Sequence, residues 1–156
     1  MRHAAAAGKG AGGSDRERPL TPDGRRAAEL LGRRLKSEGM SPDHVLCSPA
    51  RRARETLDGL AIALGALPPA DFDDALYLAD CHSVLHHLRA VPAETKCLLL
   101  IGHNPGLEEL VRGLAGAASA AVEAGLPAAG LAIFQVSAAW SALSPASARL
   151  TALFTS

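Results

Sequence analysis

Aromatic residues are scarce in this chain: three Phe, one Trp and one Tyr make up 3% of 156 residues. A core must then be built from Leu, Val and Ala, and a stacking platform for single-stranded nucleic acid is excluded. Neither sign of charge is in excess, with 16 basic and 16 acidic side chains. Bulk electrostatic attraction to nucleic acid is therefore not expected. No apolar run approaches the roughly 20 residues of a membrane span. The Ala-rich N-terminal stretch also lacks the long aliphatic core of a signal peptide. Cys47, Cys81 and Cys97 are odd in number and widely spaced. They read as reduced, buried small hydrophobes of a cytoplasmic protein. With 48% hydrophobic residues, the chain is expected to form one domain over 1–156, with a core of its own.

The most informative stretch runs from Leu98 to Gly106, Leu-Leu-Leu-Ile-Gly-His-Asn-Pro-Gly. Four consecutive aliphatic residues bounded by a turn predict a strand buried on both faces. Asn104 then reads as an N-cap and Pro105 as the first residue of a helix reaching about Leu114. His103 falls where a buried strand gives way to a helix, the edge at which open α/β sheets bind ligands. That position favours a functional imidazole over a core histidine.

Further along the same lines, Gly8 to Ser14 lacks the glycine order of a phosphate loop and reads as a flexible surface loop. Thr21-Pro22 predicts a capped helix with Ala28, Leu31 and Leu35 on one face, ended by Gly39. His44 to Cys47 predicts a second strand. Ser48-Pro49 then repeats the cap-plus-proline signature, opening a helix to about Leu64. Arg51, Arg52 and Arg54 sit in its first turn, where the macrodipole opposes cations, and this implies an anion in front of them. A third helix, about Asp80 to Val91, carries His82 and His86 four residues apart. They lack a convincingly spaced third metal ligand, so an exposed face is the expectation. Ala117 to Pro127 reads as a linker or weak helix, and Leu131 to Val136 and Arg149 to Phe154 as closing strands. The pattern β-α-β-α-(α)-β-α-β-β predicts an α/β sandwich with a mostly parallel central sheet.

At the predicted strand ends lie Arg2, His3, Arg52 and His103. Two guanidinium forks suit a phosphate, and two imidazoles supply a nucleophile and a partner near neutral pH. There is no serine nucleophile elbow, and the cysteines lack a phosphate-cradling loop. The inventory permits phosphoryl transfer through histidine. Metals and organic cofactors are not expected, because the arginines already supply positive charge.

Four ordered motifs carry a family resemblance. They are Arg2-His3-Ala4, Arg18-Pro19-Leu20-Thr21-Pro22-Asp23-Gly24, Ser48-Pro49-Ala50-Arg51-Arg52-Ala53-Arg54-Glu55-Thr56, and Gly102-His103-Asn104-Pro105. Across the whole chain they resemble the histidine phosphatase superfamily, and within it the small phosphohistidine phosphatases of the SixA type. The resemblance implies a phosphoglycerate mutase-like three-layer α/β sandwich. It makes His3 the transiently phosphorylated nucleophile, surrounded by Arg2, Arg52 and His103, with Arg51 the competitor for the second arginine. Asp15 and Arg18 match positions flanking the pocket, for loop anchoring or substrate contact; anchoring is preferred for both, with Arg18 kept as a substrate-binding candidate.

An alkoxide leaving group needs a general acid, and the central segment offers Asp80, with Asp73 and Asp74 more distant. An imidazole, whose conjugate acid has a pKa of about 6.5, departs with little help. The expected substrate is therefore a protein-borne phosphohistidine, with Asp80 retained as a possible proton donor. The expected protein is cytoplasmic, a monomer or weak oligomer, without nucleic-acid or membrane partners. The alternatives are a general phosphomonoesterase of the same superfamily or an inactive phosphate-binding module. The family places a buried strand directly before its Arg-His pair. Here Met1 alone stands there, so the first strand is expected to be truncated.

Overall fold

The computed structural model describes residues 1–8, 10, 13–65, 67–116 and 123–155. Lys9, Ala11 and Gly12 of the glycine-rich loop, and residues 117–122 of the expected linker, lie outside the described residues. Among the described elements, α1 (Pro22–Ser37), β1 (His44–Cys47), α2 (Arg51–Leu64), β2 (Ala70–Phe72), α3 (Cys81–Arg89), β3 (Leu98–Ile101), α4 (Gly106–Ala115), β4 (Leu131–Val136) and β5 (Ala148–Phe154) follow one another along the chain. The result is an α/β fold of three layers.

β1 is central in a three-stranded parallel sheet of order β2-β1-β3. Val45 stands opposite both Ala70 and Leu99, and Cys47 opposite Phe72 and Ile101. β2 was not expected; three residues of an edge strand, Ala-Asp-Phe, are too few and too exposed to leave a periodic trace. β4 and β5 pair antiparallel, with a register shift between Ile133 and Phe134.

Alternation along β3 divides the core between the outer layers. Leu99 and Ile101 pack with Val45 and Cys47 against Leu31, Leu35, Leu57 and Leu60 of α1 and α2. Leu98 and Leu100 turn toward α3 and α4, where Val84, Leu88, Leu107 and Leu110 are buried. β3 is therefore covered on both faces, yet Leu98 and Leu100 are only half-buried, less than a fully buried strand would show. The helical layer of α1 and α2 is closely set: a Cβ on Gly59 would stand 2.7 Å from the Ala28 Cβ, and one on Gly32 2.7 Å from the Leu60 carbonyl. Those two glycines allow the backbones to approach where any side chain would force them apart.

Residues 1–3 lie between β3 and the segment leading into β4. Met1 N donates to the Leu100 carbonyl at 2.8 Å and Gly102 N–H to the Met1 carbonyl at 3.1 Å. Arg2 N–H donates to Gly130 O at 2.9 Å, His3 N–H to Gly102 O and Ala129 N–H to His3 O. The run forms a parallel bridge, Arg2 opposite Gly102. No helix among the described residues is long and apolar enough to cross a membrane.

The expected caps divide. Thr21 caps α1, accepting from Gly24 N–H at 3.0 Å, and Gly39 adopts φ +70° just past its end. Asp80 caps α3 through Ser83 N–H at 2.7 Å. Ser48 and Asn104 cap nothing: α2 starts at Arg51 after Ala50 and α4 at Gly106 after Pro105, neither with a side-chain cap. Both polar side chains have been turned to another use.

Candidate active site

The C-terminal ends of β1 and β3 and the bridge at Arg2 converge on an open cavity of about 550 Å³, lined among others by Arg2, His3, Arg18, Arg52 and His103. All four residues expected at strand ends are therefore brought together, with Arg18 beside them. Asp80 does not line the cavity. Its carboxylate is committed to the α3 cap, and the amide of Ser83 holds it below the ordinary carboxylate range.

Arg52 is the hub, only 3% exposed. Its Nε donates to His3 Nε2 at 3.1 Å and its Nη1 to the Asp15 carbonyl at 2.7 Å. Its Nη2 reaches Asp15 Oδ2 at 3.1 Å and His103 Nδ1 at 3.3 Å. The other two arginines of that turn do not line the cavity and face carboxylates of the chain instead: Arg51 pairs with Glu55 at 2.7 Å and Arg54 with Glu17 at 3.9 Å. The expected triple cation is thus one buried arginine, with two others satisfied by carboxylates on the surface.

Hydrogen-bond partners assign the imidazole tautomers. His3 Nδ1 lies 2.7 Å from the Ala4 carbonyl and must donate to it, leaving Nε2 as the lone pair that accepts from Arg52. His103, also 3% exposed, accepts from Arg52 at Nδ1 and donates from Nε2 to Ser48 Oγ at 2.7 Å. The rings lie 5.0 Å apart between centroids. Burial, and then the neighbouring arginines, push His3 down to about 4 despite its bond to Ala4. Burial, His3 and Arg52 push His103 down to about 3. Both are neutral at pH 7.

Asp15 also lines the cavity, with its carboxylate held by three donors. Its carboxylate accepts from Arg18 Nη1 at 2.7 Å, from the Tyr77 hydroxyl at 2.7 Å and from Arg52 Nη2. The Tyr77 hydroxyl, followed by Arg18, holds it far below the ordinary carboxylate range. Arg18 Nε is also tied to the Ala7 carbonyl at 2.7 Å. Arg2 donates from Nη1 to the Leu126 carbonyl at 2.9 Å, while its buried Nε has no partner among the described residues.

Ser48, Thr56, Tyr77, Leu78 and Asn104 complete the surroundings and were not singled out beforehand as site residues. Thr56 Oγ1 accepts from Ala4 N–H at 3.0 Å and donates to the Arg52 carbonyl at 2.6 Å, joining the His3 strand to α2. Tyr77 stands edge-on to His103 at 5.6 Å. Ser48, Thr56 and Asn104 fall inside the ordered motifs, the signal that could have found them, whereas Tyr77 and Leu78 fall outside. Asn104 Nδ2 donates to Glu108 and to the Leu126 carbonyl, both at 2.9 Å.

The neutral histidines make stability depend on pH. Unfolded, each imidazole takes a proton below about 6.5; folded, neither does until near 4 or 3. The unfolded state therefore binds more protons in that interval, and stability falls as pH drops through it. Denaturant unfolding should show roughly 4 kcal/mol lost between pH 7 and pH 5 from the two rings together. A flat curve would show the rings to be charged in the fold.

Residues 1–77 match the histidine phosphatase superfamily (branch 1). An uncharacterised protein of Mycobacterium tuberculosis is 33% identical over 156 residues, covering 96% of this chain and 96% of its own. One of Mycobacterium leprae is 32% identical over 144 residues, covering 89% and 87%. Among solved structures, a proposed phosphohistidine phosphatase SixA from Nakamurella multipartitia superposes with a TM-score of 0.88 at 31% identity, covering 99% of this chain and 92% of that one. The protein histidine phosphatase SixA complexed with tungstate gives 0.81 at 25%, covering 99% and 94%. Sequence and fold, taken over nearly the full length, agree: the chain belongs to the histidine phosphatase superfamily and is a phosphatase.

Proposed function

We propose that this phosphatase, as one domain over 1–156, dephosphorylates a phosphohistidine carried on a protein, by way of a transient phosphoryl group on His3. The observation that carries the reading is the His3 Nε2 lone pair, presented to an arginine-lined cavity with no protonated carboxyl among its described residues. His3 Nε2 attacks phosphorus, and the bond from phosphorus to the leaving nitrogen breaks. That nitrogen takes its proton from water or leaves as the neutral ring of an already protonated imidazole. Water then attacks the phosphoryl group on His3, the new P–N bond breaks, and inorganic phosphate departs with His3 restored.

The surrounding charge matches this task. Arg2, Arg18 and Arg52 minus Asp15 sum to +2 when both histidines are neutral, opposite a phosphoryl dianion. Arg52 Nε–H, which rests on His3 Nε2, is freed for a phosphoryl oxygen as that nitrogen bonds to phosphorus. The unpartnered Arg2 Nε is a second donor. The related SixA structure was obtained with tungstate, an oxyanion. Among the described residues no carboxyl is placed to serve as the acid that an ester leaving group requires: Asp15 is ionised and Asp80 is a helix cap. A cytoplasmic, phosphohistidine-bearing protein partner, and a monomeric or weakly associating enzyme, belong to the same proposal.

The test compares a chemically phosphorylated histidine protein with a phosphoserine peptide, using the wild type and Asp80→Asn. Phosphohistidine should be hydrolysed at least about 100-fold more efficiently, the order a general acid contributes, and Asp80→Asn should leave both rates unchanged. Comparable wild-type rates, with a selective loss on the ester in Asp80→Asn, would make the chain a general phosphomonoesterase with Asp80 as its acid.

A further inference from the structure

Leu78 stands out on two independent counts. Its backbone adopts φ +53°, a left-handed conformation that a leucine occupies only under constraint. Its side chain is also 53% exposed at the cavity. The constraint comes from both sides. Leu76 is buried, Tyr77 N–H is held by the Asp74 carbonyl and the Tyr77 hydroxyl by Asp15. On the other side the backbone of Ala79 and Asp80 is pressed onto the start of α4, where a Cβ on Gly106 would stand 2.0 Å from the Ala79 carbonyl. The segment is clamped, and the clamp leaves half of an apolar side chain in solvent, where it gains only part of the burial that would offset the strained backbone.

The setting of that side chain narrows what it could meet. Among the described residues lining the cavity, Leu78 is the one large apolar side chain; the remainder, apart from Gly10, are cationic, anionic, imidazole or amide. The polar groups are taken up with a phosphoryl group and with one another, which leaves Leu78 as the apolar surface for the flat face of the group that departs. We propose that Leu78 is a specificity-determining residue which packs against the imidazole ring of the leaving histidine. This inference rests on the phosphohistidine reading above.

Two substrates with the same scissile P–N bond isolate the contact: free phosphohistidine carries the ring and phosphoramidate does not. Leu78→Ala should lower kcat/KM for phosphohistidine about tenfold, the loss expected for a few hydrophobic contacts. It should leave phosphoramidate within about twofold of wild type. Leu78→Met should retain most of the preference. Equal losses on both substrates, as a folding or positioning defect would give, overturn the inference, and so does no loss on either. Failure of the wild type to hydrolyse phosphohistidine while it hydrolyses phosphoramidate overturns the phosphohistidine reading itself, and Leu78's role with it.

Discussion

His3→Ala should yield no acid-labile, alkali-stable phosphoryl label after brief exposure to phosphohistidine, and its turnover should fall by about 10³-fold or more. Among the described residues of the cavity nothing else can take over. His103 is the other imidazole, but its Nε2–H is spent on Ser48 and its Nδ1 faces Arg52 from a 3% exposed position. The substitution leaves Arg2, Arg18 and Arg52 in place, so binding of inorganic phosphate should survive, measurable by its protection against thermal unfolding. Loss of turnover with retained phosphate binding would locate the defect in covalent chemistry. A variant that kept substantial turnover would mean that water attacks the substrate directly and that His3 merely positions it.

Arg52→Lys should be nearly as severe, with kcat/KM down about 10²- to 10³-fold, the range seen when a single preorganised donor to developing charge is lost. A lysine keeps the charge but cannot reproduce a planar fork that meets His3, the Asp15 carbonyl, the Asp15 carboxylate and His103 at once. The neighbouring Arg51→Ala is the control, because Arg51 spends its guanidinium on Glu55 at the surface. It should stay within about twofold of wild type. Should the two variants suffer alike, the assignment of the second arginine to Arg52 would fall.

The parts of this architecture that were legible in the sequence are those that local chemistry writes. His44 to Cys47 and Leu98 to Ile101 are apolar runs ended by turns, and the strands occupy those residues. Thr21 caps because its hydroxyl meets an amide three residues on, which needs no help from elsewhere in the chain. The position of His103 at a strand end follows from the same local pattern. Legibility stops where a side chain chooses between a local and a distant partner. Ser48 and Asn104 carry cap signatures, yet Ser48 turns to His103, 55 residues away, and Asn104 to the carbonyl of Leu126. Arg51 and Arg54 look like anion ligands until Glu55 and Glu17 come beside them. Tyr77 and Leu78 owe their places to the clamp between Asp15 and Gly106, which no spacing encodes.

The run Met1 to His3 does more than deliver a side chain to the cavity. Its backbone is bonded on one side to Leu100 of β3 and to Gly102, at the edge of the sheet that β1 organises, and on the other to Ala129 and Gly130, where the β4–β5 hairpin begins. The imidazole of His3 is therefore mounted on a seam, and any relative displacement of the two sheets is transmitted to it as an error in aim. Thr56, which grips the next residue at the Ala4 amide and holds the Arg52 carbonyl, references nucleophile and arginine to a common point, so that the two drift together or not at all. Tolerance in this site is set by how rigidly two sheets are joined, and a substitution deep in the hairpin, remote from any phosphate, would be felt as a misalignment of His3.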